Sequence, residues 1–100
     1  MVVNHINFPE LRIGELCRRF GVKSLSLFGS ILGDHFTSDS DVDMLVEFIP
    51  QSRIGLIGIA NLQAELSQLI GRNVDLRTPA ELSRYFRNEV LAHAKLLHAA

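Results

Sequence analysis

The chain has 100 residues, 47% of them apolar, and a formal net charge of −1 at pH 7. A chain of this length fits one modest core, so we expect residues 1–100 to form a single domain. The near balance of 10 basic and 11 acidic residues argues against the class of nucleic-acid-binding proteins that rely on a broad basic face. We therefore expect no direct nucleic-acid partner, although a local basic pocket remains open.

The cysteines, histidines and apolar runs exclude several further kinds of site and protein. Cys17 is the only cysteine, which excludes an internal disulfide, and the four histidines are too scattered for a zinc site. No run approaches the roughly 20 apolar residues of a membrane span. The N-terminus lacks the charged and apolar regions of a signal peptide. We expect a cytoplasmic protein without membrane contact.

The first predicted element is an amphipathic helix that tolerates Pro9 in its first turn and ends at Gly21. Its apolar residues recur at positions i, i+3, i+4 and i+7, namely Ile13, Leu16, Cys17 and Phe20. This spacing places Cys17 on the core face, where we expect a buried structural thiol rather than a reactive one.

Two strands are predicted next, over 24–28 and 41–48, with at most a short helical turn after Ser30. The second strand alternates in character. Its two faces carry Val42, Met44, Val46 and Phe48 on one side and Asp41, Asp43, Leu45 and Glu47 on the other. The tight connection between the two strands favours an antiparallel pair.

The second half predicts an apolar loop over 50–58, a helix closed by Gly71, and a third strand over 73–77. The helix is marked by Ile59, Leu62, Leu66, Leu69 and Ile70. Because a helix separates the second and third strands, they can pair in parallel.

The residues Thr78, Pro79 and Glu81 form a capping-box pattern that predicts the start of a last helix. Its buried stripe would be Leu82, Phe86, Val90, Ala94 and Leu97. The predicted order is therefore α-β-β-α-β-α. This is an α/β (α+β) fold with a small mixed three-stranded sheet and helices packed on it.

Gly29 and Ser30 close the first strand and could form a small anion site. A strand that ends before a helical turn leaves backbone N–H groups without partners. Gly29 removes the side chain that would block a close approach, and Ser30 adds a hydroxyl donor. Together they are suited to phosphate oxygens, although a Gly-Ser pair at a strand end is also an ordinary turn.

Asp41, Asp43 and Asp75 are the candidate metal ligands. Asp41 and Asp43 lie two apart on one strand and so share a face, and Asp75 would join them if the third strand neighbours the second. Magnesium prefers such oxygen ligands, together with phosphate oxygens. The alternative is that acidic residues at a strand start merely end the pairing. Asp39 is assigned such a structural role, because it lies in the loop and would form a turn with Thr37, Ser38 and Ser40.

These motifs occur in an order that is typical of one family. The stretches LFGS at 27–30, SDSDVDMLVEF at 38–48 and VDLRT at 74–78 resemble the pattern of the minimal nucleotidyltransferases, in the DNA polymerase beta superfamily. The resemblance implies a palm-like fold that binds ATP or another nucleoside triphosphate with two Mg²⁺ ions. It also implies that Asp41 and Asp43 bridge the ions, that Asp75 binds the catalytic one, and that Gly29 and Ser30 hold the β- and γ-phosphates.

The resemblance also implies a partner. Small members of this family are often encoded beside a HEPN-domain toxin and act as its antitoxin, transferring AMP to a tyrosine of the toxin. We therefore expect a magnesium-dependent nucleotidyltransferase with a protein acceptor. The alternative is a catalytically weak or inactive antitoxin that neutralises its partner by binding, with the 53–60 loop and the last helix as contact surface. A homo- or hetero-oligomer remains open.

One departure from the family pattern concerns charge. Many members carry Arg and then Gly shortly after Gly-Ser, whereas this chain reads GSILGDH over 29–35. A cation for the triphosphate is therefore missing at that place. Arg53, Arg72 and Arg77 are the candidates to replace it.

Overall fold

The computed structural model describes all 100 residues, which form six strands and three helices. The strands are β1 (Val2–Val3), β2 (Ile6–Asn7), β3 (Val22–Phe28), β4 (Val42–Phe48), β5 (Val74–Arg77) and β6 (Lys95–Ala99), and the helices are α1 (Glu10–Phe20), α2 (Leu56–Ile70) and α3 (Arg87–His93). Two short 3-10 turns, Gly29–Leu32 and Pro79–Glu81, follow β3 and β5. The mixed α/β class expected from the sequence is confirmed.

The main sheet has four strands in the order β5-β4-β3-β6, and β1 and β2 form a separate hairpin. β3 pairs with β4 antiparallel and β4 pairs with β5 in parallel, both as predicted. The fourth strand, β6, pairs antiparallel with β3 and was not predicted. A mixed sheet with an additional edge strand results.

The sheet has a core face and a second face that carries the acidic residues. Leu27, Met44 and Leu76 share one register row, and all three are buried. Phe28, Asp43 and Asp75 form a neighbouring row whose members are half-buried. Because side chains alternate along a strand, the two rows point to opposite faces.

The core lies between the sheet and the helices α1 and α2. Its buried members are Phe8, Ile13, Leu16, Cys17, Val22, Leu25, Leu27, Ile31, Val42, Met44, Val46, Leu62, Leu66, Val74 and Leu76. Gly21 and Gly71 end the two helices in the left-handed conformation, with φ of 70° and 77°. Helix α2 starts at Leu56, so the predicted 50–58 loop is too long by a few residues.

The C-terminal third differs most from the prediction. The capping box is present, since the Thr78 backbone N–H donates to the Glu81 carboxylate over 3.0 Å. It opens only the Pro79–Glu81 turn, because the chain becomes extended again at Leu82. The predicted continuous helix with its stripe Leu82, Phe86, Val90, Ala94 and Leu97 is therefore wrong: α3 is short, Phe86 is exposed, and Leu97 lies in β6.

No helix in this structure has both the length and the apolar character needed to cross a membrane.

Candidate active site

The candidate site lies at the edge of the sheet where β3 ends and where β4 and β5 begin. The register places Asp43 of β4 between Phe28 of β3 and Asp75 of β5. Gly29 follows Phe28 directly and begins the first 3-10 turn. The topology therefore brings Gly29, Asp43 and Asp75 to one edge and one face, although they are far apart in sequence.

Gly29 lies directly against the carboxylate of Asp43. Its φ is +78°, in the left-handed region that favours glycine. A Cβ atom at this position would collide with Oδ2 of Asp43, so only glycine permits this approach. Gly29 and Ser30 are both exposed, and the turn they open is anchored by the buried side chain of Ile31.

The N-terminal hairpin supports the same turn. The Asn4 amide donates to the carbonyl oxygens of Ile31 and Gly33, over 3.2 and 3.1 Å. Asn4 has a positive φ of 52°, within the tight connection between β1 and β2. No sequence motif signals this contact, because it joins residues 27 and 29 positions apart.

Asp43 is the electrostatic centre of the site. Burial raises the pKa of its carboxyl group above the ordinary value, and the negative charges of Asp75 and Asp41 raise it further. The guanidinium of Arg77 acts in the opposite direction. Asp43 makes no side-chain hydrogen bond, so a cation can approach its oxygens without displacing a donor.

Asp75 is held by Arg77, two residues later on the same strand. Nε of Arg77 lies 3.3 Å from both carboxylate oxygens of Asp75, and Nη2 lies 3.2 Å from Oδ2. Both side chains are partly exposed, at 35% for Asp75 and 48% for Arg77. The i, i+2 spacing on a strand is the sequence signal for this pair, because it places both on one face.

Asp41 lies just before β4, exposed, at the end of the loop that leads from Gly33. Asp39 takes part in a turn, as predicted, with its backbone N–H 3.3 Å from Oγ1 of Thr37. Thr37 and Ser40 are also hydrogen-bonded to each other. The loop therefore has its own internal structure, which fixes where Asp41 enters the sheet.

Arg72 fastens this loop to the body of the protein. Its Nη2 atom lies within hydrogen-bond distance of three carbonyl oxygens, those of Thr37 (3.0 Å), Ser38 (3.3 Å) and Ser40 (2.7 Å). Its guanidinium carbon lies 4.7 Å from the centre of the Phe36 ring. Arg72 is therefore occupied by the loop, and its predicted candidacy as the missing phosphate cation is not supported.

Arg53 is also far from the site. It follows β4, whose far end is joined to the start of β3 by a hydrogen bond from Ile49 to the carbonyl of Gly21. A Cβ atom at Gly21 would meet Ser52, the neighbour of Arg53. Since β3 ends at the site and starts at the opposite edge, Arg53 lies at the wrong end of the sheet.

The donor set suits a hard divalent cation in its chemistry, because it consists of carboxylate oxygens that lie against the exposed turn at Gly29. Its geometry is not that of a closed cage, since no group of three or more His, Cys, Asp and Glu side chains is arranged to hold an ion. Magnesium sites commonly use one or two carboxylates with substrate phosphates, and Asp43 with either neighbour meets that requirement. The residues present therefore fit a magnesium ion that binds together with its nucleotide.

A cavity of about 630 Å³ opens beside Gly29. It is lined by Phe28, Gly29, Leu32, Gly33, Phe86, Glu89, Val90 and His93. No sequence pattern predicts this cavity, because it forms only when the 86–93 segment returns across the end of β3. Its apolar walls and its position next to Gly29 suit a planar ring joined to a phosphate chain.

The chain is similar to known nucleotidyltransferases in both sequence and fold. The family model described as "Nucleotidyltransferase domain" matches residues 12–97. The protein adenylyltransferase MntA of Thermococcus cleftensis is 38% identical over 79 residues, which are 77% of this chain and 76% of that protein.

Two solved structures share the fold. A toxin-antitoxin crystal structure with AMP-PNP superposes with a TM-score of 0.71 and 23% identity, covering 93% of this chain and 75% of that one. The tri-AMPylated Shewanella oneidensis HEPN toxin in complex with MNT antitoxin gives a TM-score of 0.62 and 24% identity, covering 91% of this chain and 70% of that one. The family match and the curated relative together identify the chain as a member of the nucleotidyltransferase domain family, of the minimal nucleotidyltransferase type.

Proposed function

We propose that this protein is a magnesium-dependent nucleotidyltransferase that transfers AMP from ATP to a side chain of a partner protein. One observation carries the proposal: Gly29 packs against the carboxylate of Asp43, which lies in register with Asp75. A phosphate-binding turn thus adjoins a set of carboxylates. This is the equipment for displacing pyrophosphate from a nucleoside triphosphate.

Each residue of the site has a role in this proposal. Gly29 and Ser30 bind the β- and γ-phosphates through exposed backbone N–H groups and the Ser30 hydroxyl. Asp41, Asp43 and Asp75 would hold two Mg²⁺ ions, which would stabilise the attacking and leaving oxygens when bound. Asp75, on the edge strand β5, accepts the proton of the acceptor's hydroxyl group or orients that hydroxyl.

The cavity beside Gly29 gives the nucleoside a place. Phe28, Phe86 and Val90 offer apolar contact to a base, and Glu89 and His93 supply polar groups at the rim. A nucleoside seated there would have its phosphate chain over Gly29 and its α-phosphorus towards Asp43. The cavity supports a nucleoside triphosphate as substrate, and the name of the curated relative supports ATP.

The proposed acceptor is a HEPN-domain toxin, with this chain as the antitoxin. The support comes from the solved structures of the same fold, one of which is described as an AMPylated HEPN toxin in complex with MNT antitoxin. The alternative of an antitoxin that acts by binding alone is not favoured. All the carboxylates and the Gly-Ser turn are present, and the curated relative is named as an adenylyltransferase.

The decisive experiment removes two carboxylates without changing the fold. We expect the double substitution Asp41→Asn with Asp43→Asn to abolish AMP transfer, seen by mass spectrometry of the neighbouring gene's product after incubation with ATP and Mg²⁺. The control is Asp39→Asn, which alters a carboxylate of the same loop that lies outside the site. Circular dichroism and urea unfolding confirm that both variants are folded.

The outcomes separate the two hypotheses. Transfer that persists in the double variant would show that the carboxylates do not hold the ions. Full neutralisation of the toxin by a double variant that no longer transfers AMP would show that binding alone is the function. Loss of both transfer and neutralisation, with Asp39→Asn unaffected, supports the proposal.

A further inference from the structure

We infer that Arg77 competes with the divalent cation for Asp75 and, once released, binds the polyphosphate of the substrate. The inference rests on the proposed function, and it accounts for the cation that is missing after Gly29-Ser30. It begins from the observation that the carboxylate of Asp75 already has a counter-charge in the structure, the forked guanidinium of Arg77.

The contact between Arg77 and Asp75 is of a kind that can be exchanged. All three donor–acceptor distances are 3.2–3.3 Å, at the long end for a charge-assisted hydrogen bond, which is usually 2.7–2.9 Å. Both side chains are partly exposed, and water can replace either partner. An exposed ion pair of this kind contributes little to stability, so a divalent ion can displace the guanidinium.

The same contact occupies the carboxylate of Asp75 in the structure. Asp75 is in register with Asp43, which places their Cα atoms about 5 Å apart across neighbouring strands. No cation-binding group of three is nevertheless present, and the oxygens of Asp75 point to Arg77. Release of Asp75 by Arg77 would therefore free its oxygens to join those of Asp43 at an ion.

The remaining arginines near the site are committed elsewhere. Arg72 binds the carbonyls of the 37–40 loop, and Arg87 donates to the carbonyls of Pro79 and Leu82. Arg84 lies over the ring of Tyr85. Arg77 is thus the guanidinium whose only side-chain partner is a member of the site, and it is the one that becomes available when that partner binds an ion.

Once released from Asp75, the guanidinium of Arg77 would find a second anionic partner in the phosphate chain of the substrate. Divalent ions on the carboxylates would repel the guanidinium, while the phosphate chain over Gly29 would attract it. Arg77 stands on the same sheet face as Asp75 and Asp43, and Gly29 touches Asp43. A guanidinium binds phosphate with two parallel hydrogen bonds, as it now binds the carboxylate.

The test uses Mn²⁺ alone as a probe, in protein free of nucleotide, with bound ion measured by the loss of the free-ion electron paramagnetic resonance signal. We expect Arg77→Ala to tighten Mn²⁺ binding by about fivefold, because the competitor is gone. The matched control is Arg53→Ala, which removes the same charge at the opposite end of the sheet and should change the affinity less than twofold. Arg77→Lys should fall between them, since an ammonium neutralises Asp75 without the fork.

A second titration, with α,β-methylene-ATP in saturating Mn²⁺, tests the other half of the exchange. Arg77→Ala should bind this analogue about tenfold more weakly than the wild type, while Arg53→Ala should match the wild type. The inference is overturned if Arg77→Ala behaves as Arg53→Ala does in either titration. Absence of binding in every protein, including the wild type, both for Mn²⁺ alone and for Mn²⁺ with α,β-methylene-ATP, would instead overturn the proposed function, because the carboxylates would then not be a metal site.

Discussion

Gly29 and Gly71 share one backbone conformation, with φ of +78° and +77°, but they differ in their surroundings. A Cβ atom at Gly71 would meet nothing within 4 Å, whereas at Gly29 it would collide with the carboxylate of Asp43. Gly71→Ala should therefore lower the free energy of unfolding only by the left-handed cost, about 1–2 kcal/mol. Gly29→Ala should cost more and should also displace Asp43.

Urea unfolding of both variants, with a Mn²⁺ titration beside it, checks this expectation. Gly71→Ala is the control, since it should keep the Mn²⁺ affinity of the wild type. Equal losses of stability in the two variants, with no change in Mn²⁺ affinity for Gly29→Ala, would contradict the packing of Gly29 on Asp43.

The raised pKa of Asp43 makes a pH-dependent prediction. Burial and the carboxylates of Asp75 and Asp41 favour the protonated form in the folded state relative to the unfolded chain. The contribution of Asp43 to the free energy of unfolding is therefore most favourable below the unfolded pKa, about 3.9. This contribution is lost as the pH rises through the folded pKa and the buried carboxyl group ionises. Asp43→Asn removes the ionisable group, so it should raise the free energy of unfolding at pH 7.

The measurement is urea unfolding of the wild type and Asp43→Asn from acid to neutral pH. The stabilising effect of the substitution should shrink as the pH falls, because wild-type Asp43 then also becomes neutral. Asp39→Asn, at the exposed turn, serves as the control. A substitution effect that does not vary with pH would show that the ionised carboxylate of Asp43 does not destabilise the folded state.

At the scale of an element, the 37–40 loop depends on one side chain. The two hydrogens of Arg72 Nη2 are shared among three carbonyl oxygens of this loop, and the guanidinium also covers Phe36. Arg72→Ala should therefore lower the free energy of unfolding by about 1–2 kcal/mol. It should also speed amide exchange over 38–41 and weaken Mn²⁺ binding, because Asp41 loses its fixed entry into β4.

Two further variants separate the loop contact from charge alone. Arg72→Lys keeps the charge but loses the planar group over Phe36, so it should restore the stability only in part. Arg84→Ala removes an exposed arginine whose contact is with the neighbouring Tyr85, and it should leave the 38–41 exchange rates unchanged. Identical exchange rates for Arg72→Ala and the wild type would contradict the role assigned to Arg72.

The elements also show which sequence patterns are informative. The alternation in β4 predicts its core face correctly, because a strand that is buried on one side fixes its own register. The apolar spacing from Leu82 to Leu97 predicts a helix wrongly. On its side away from β4, β3 has backbone N–H and C=O groups that need partners, and residues 95–99 provide them as strand β6. Tertiary hydrogen bonding thus overrides a local periodicity that fits a helix equally well.

The candidate site was predictable only in its parts. The spacing of Gly29, Ser30, Asp41 and Asp43 is visible in the sequence because short-range geometry determines it. The neighbourhood of Asp75 and Asp43 depends on strand order, which the sequence permits but does not require. The cavity under Phe86 could not be predicted, since it depends on a chain return that the helix prediction excludes.

At the scale of the whole molecule, the chain has an ordinary radius but a large surface. The radius of gyration is 12.8 Å, close to the roughly 13 Å expected for 100 residues. The accessible surface is 6368 Å², against about 5,700 Å² for a typical monomer of this mass. Only 17 residues are buried, so we expect a free energy of unfolding near the low end of the usual range, about 5 kcal/mol.

Cys17 offers a direct test of whether that core opens as one unit. The thiol is fully buried between α1 and the sheet, and burial raises its pKa to about 11. A thiol reagent should therefore label the native protein more slowly than it labels the unfolded chain in concentrated urea. The expected ratio of the two rates is between about three and four orders of magnitude, which corresponds to a free energy of unfolding of about 5 kcal/mol. Because Cys17 contacts the same core as Leu62 and Val74, the labelling rate should rise with urea in parallel with global unfolding. Fast labelling in the absence of urea, or a rate that is independent of low urea concentrations, would show that α1 detaches from the sheet without unfolding the rest of the core.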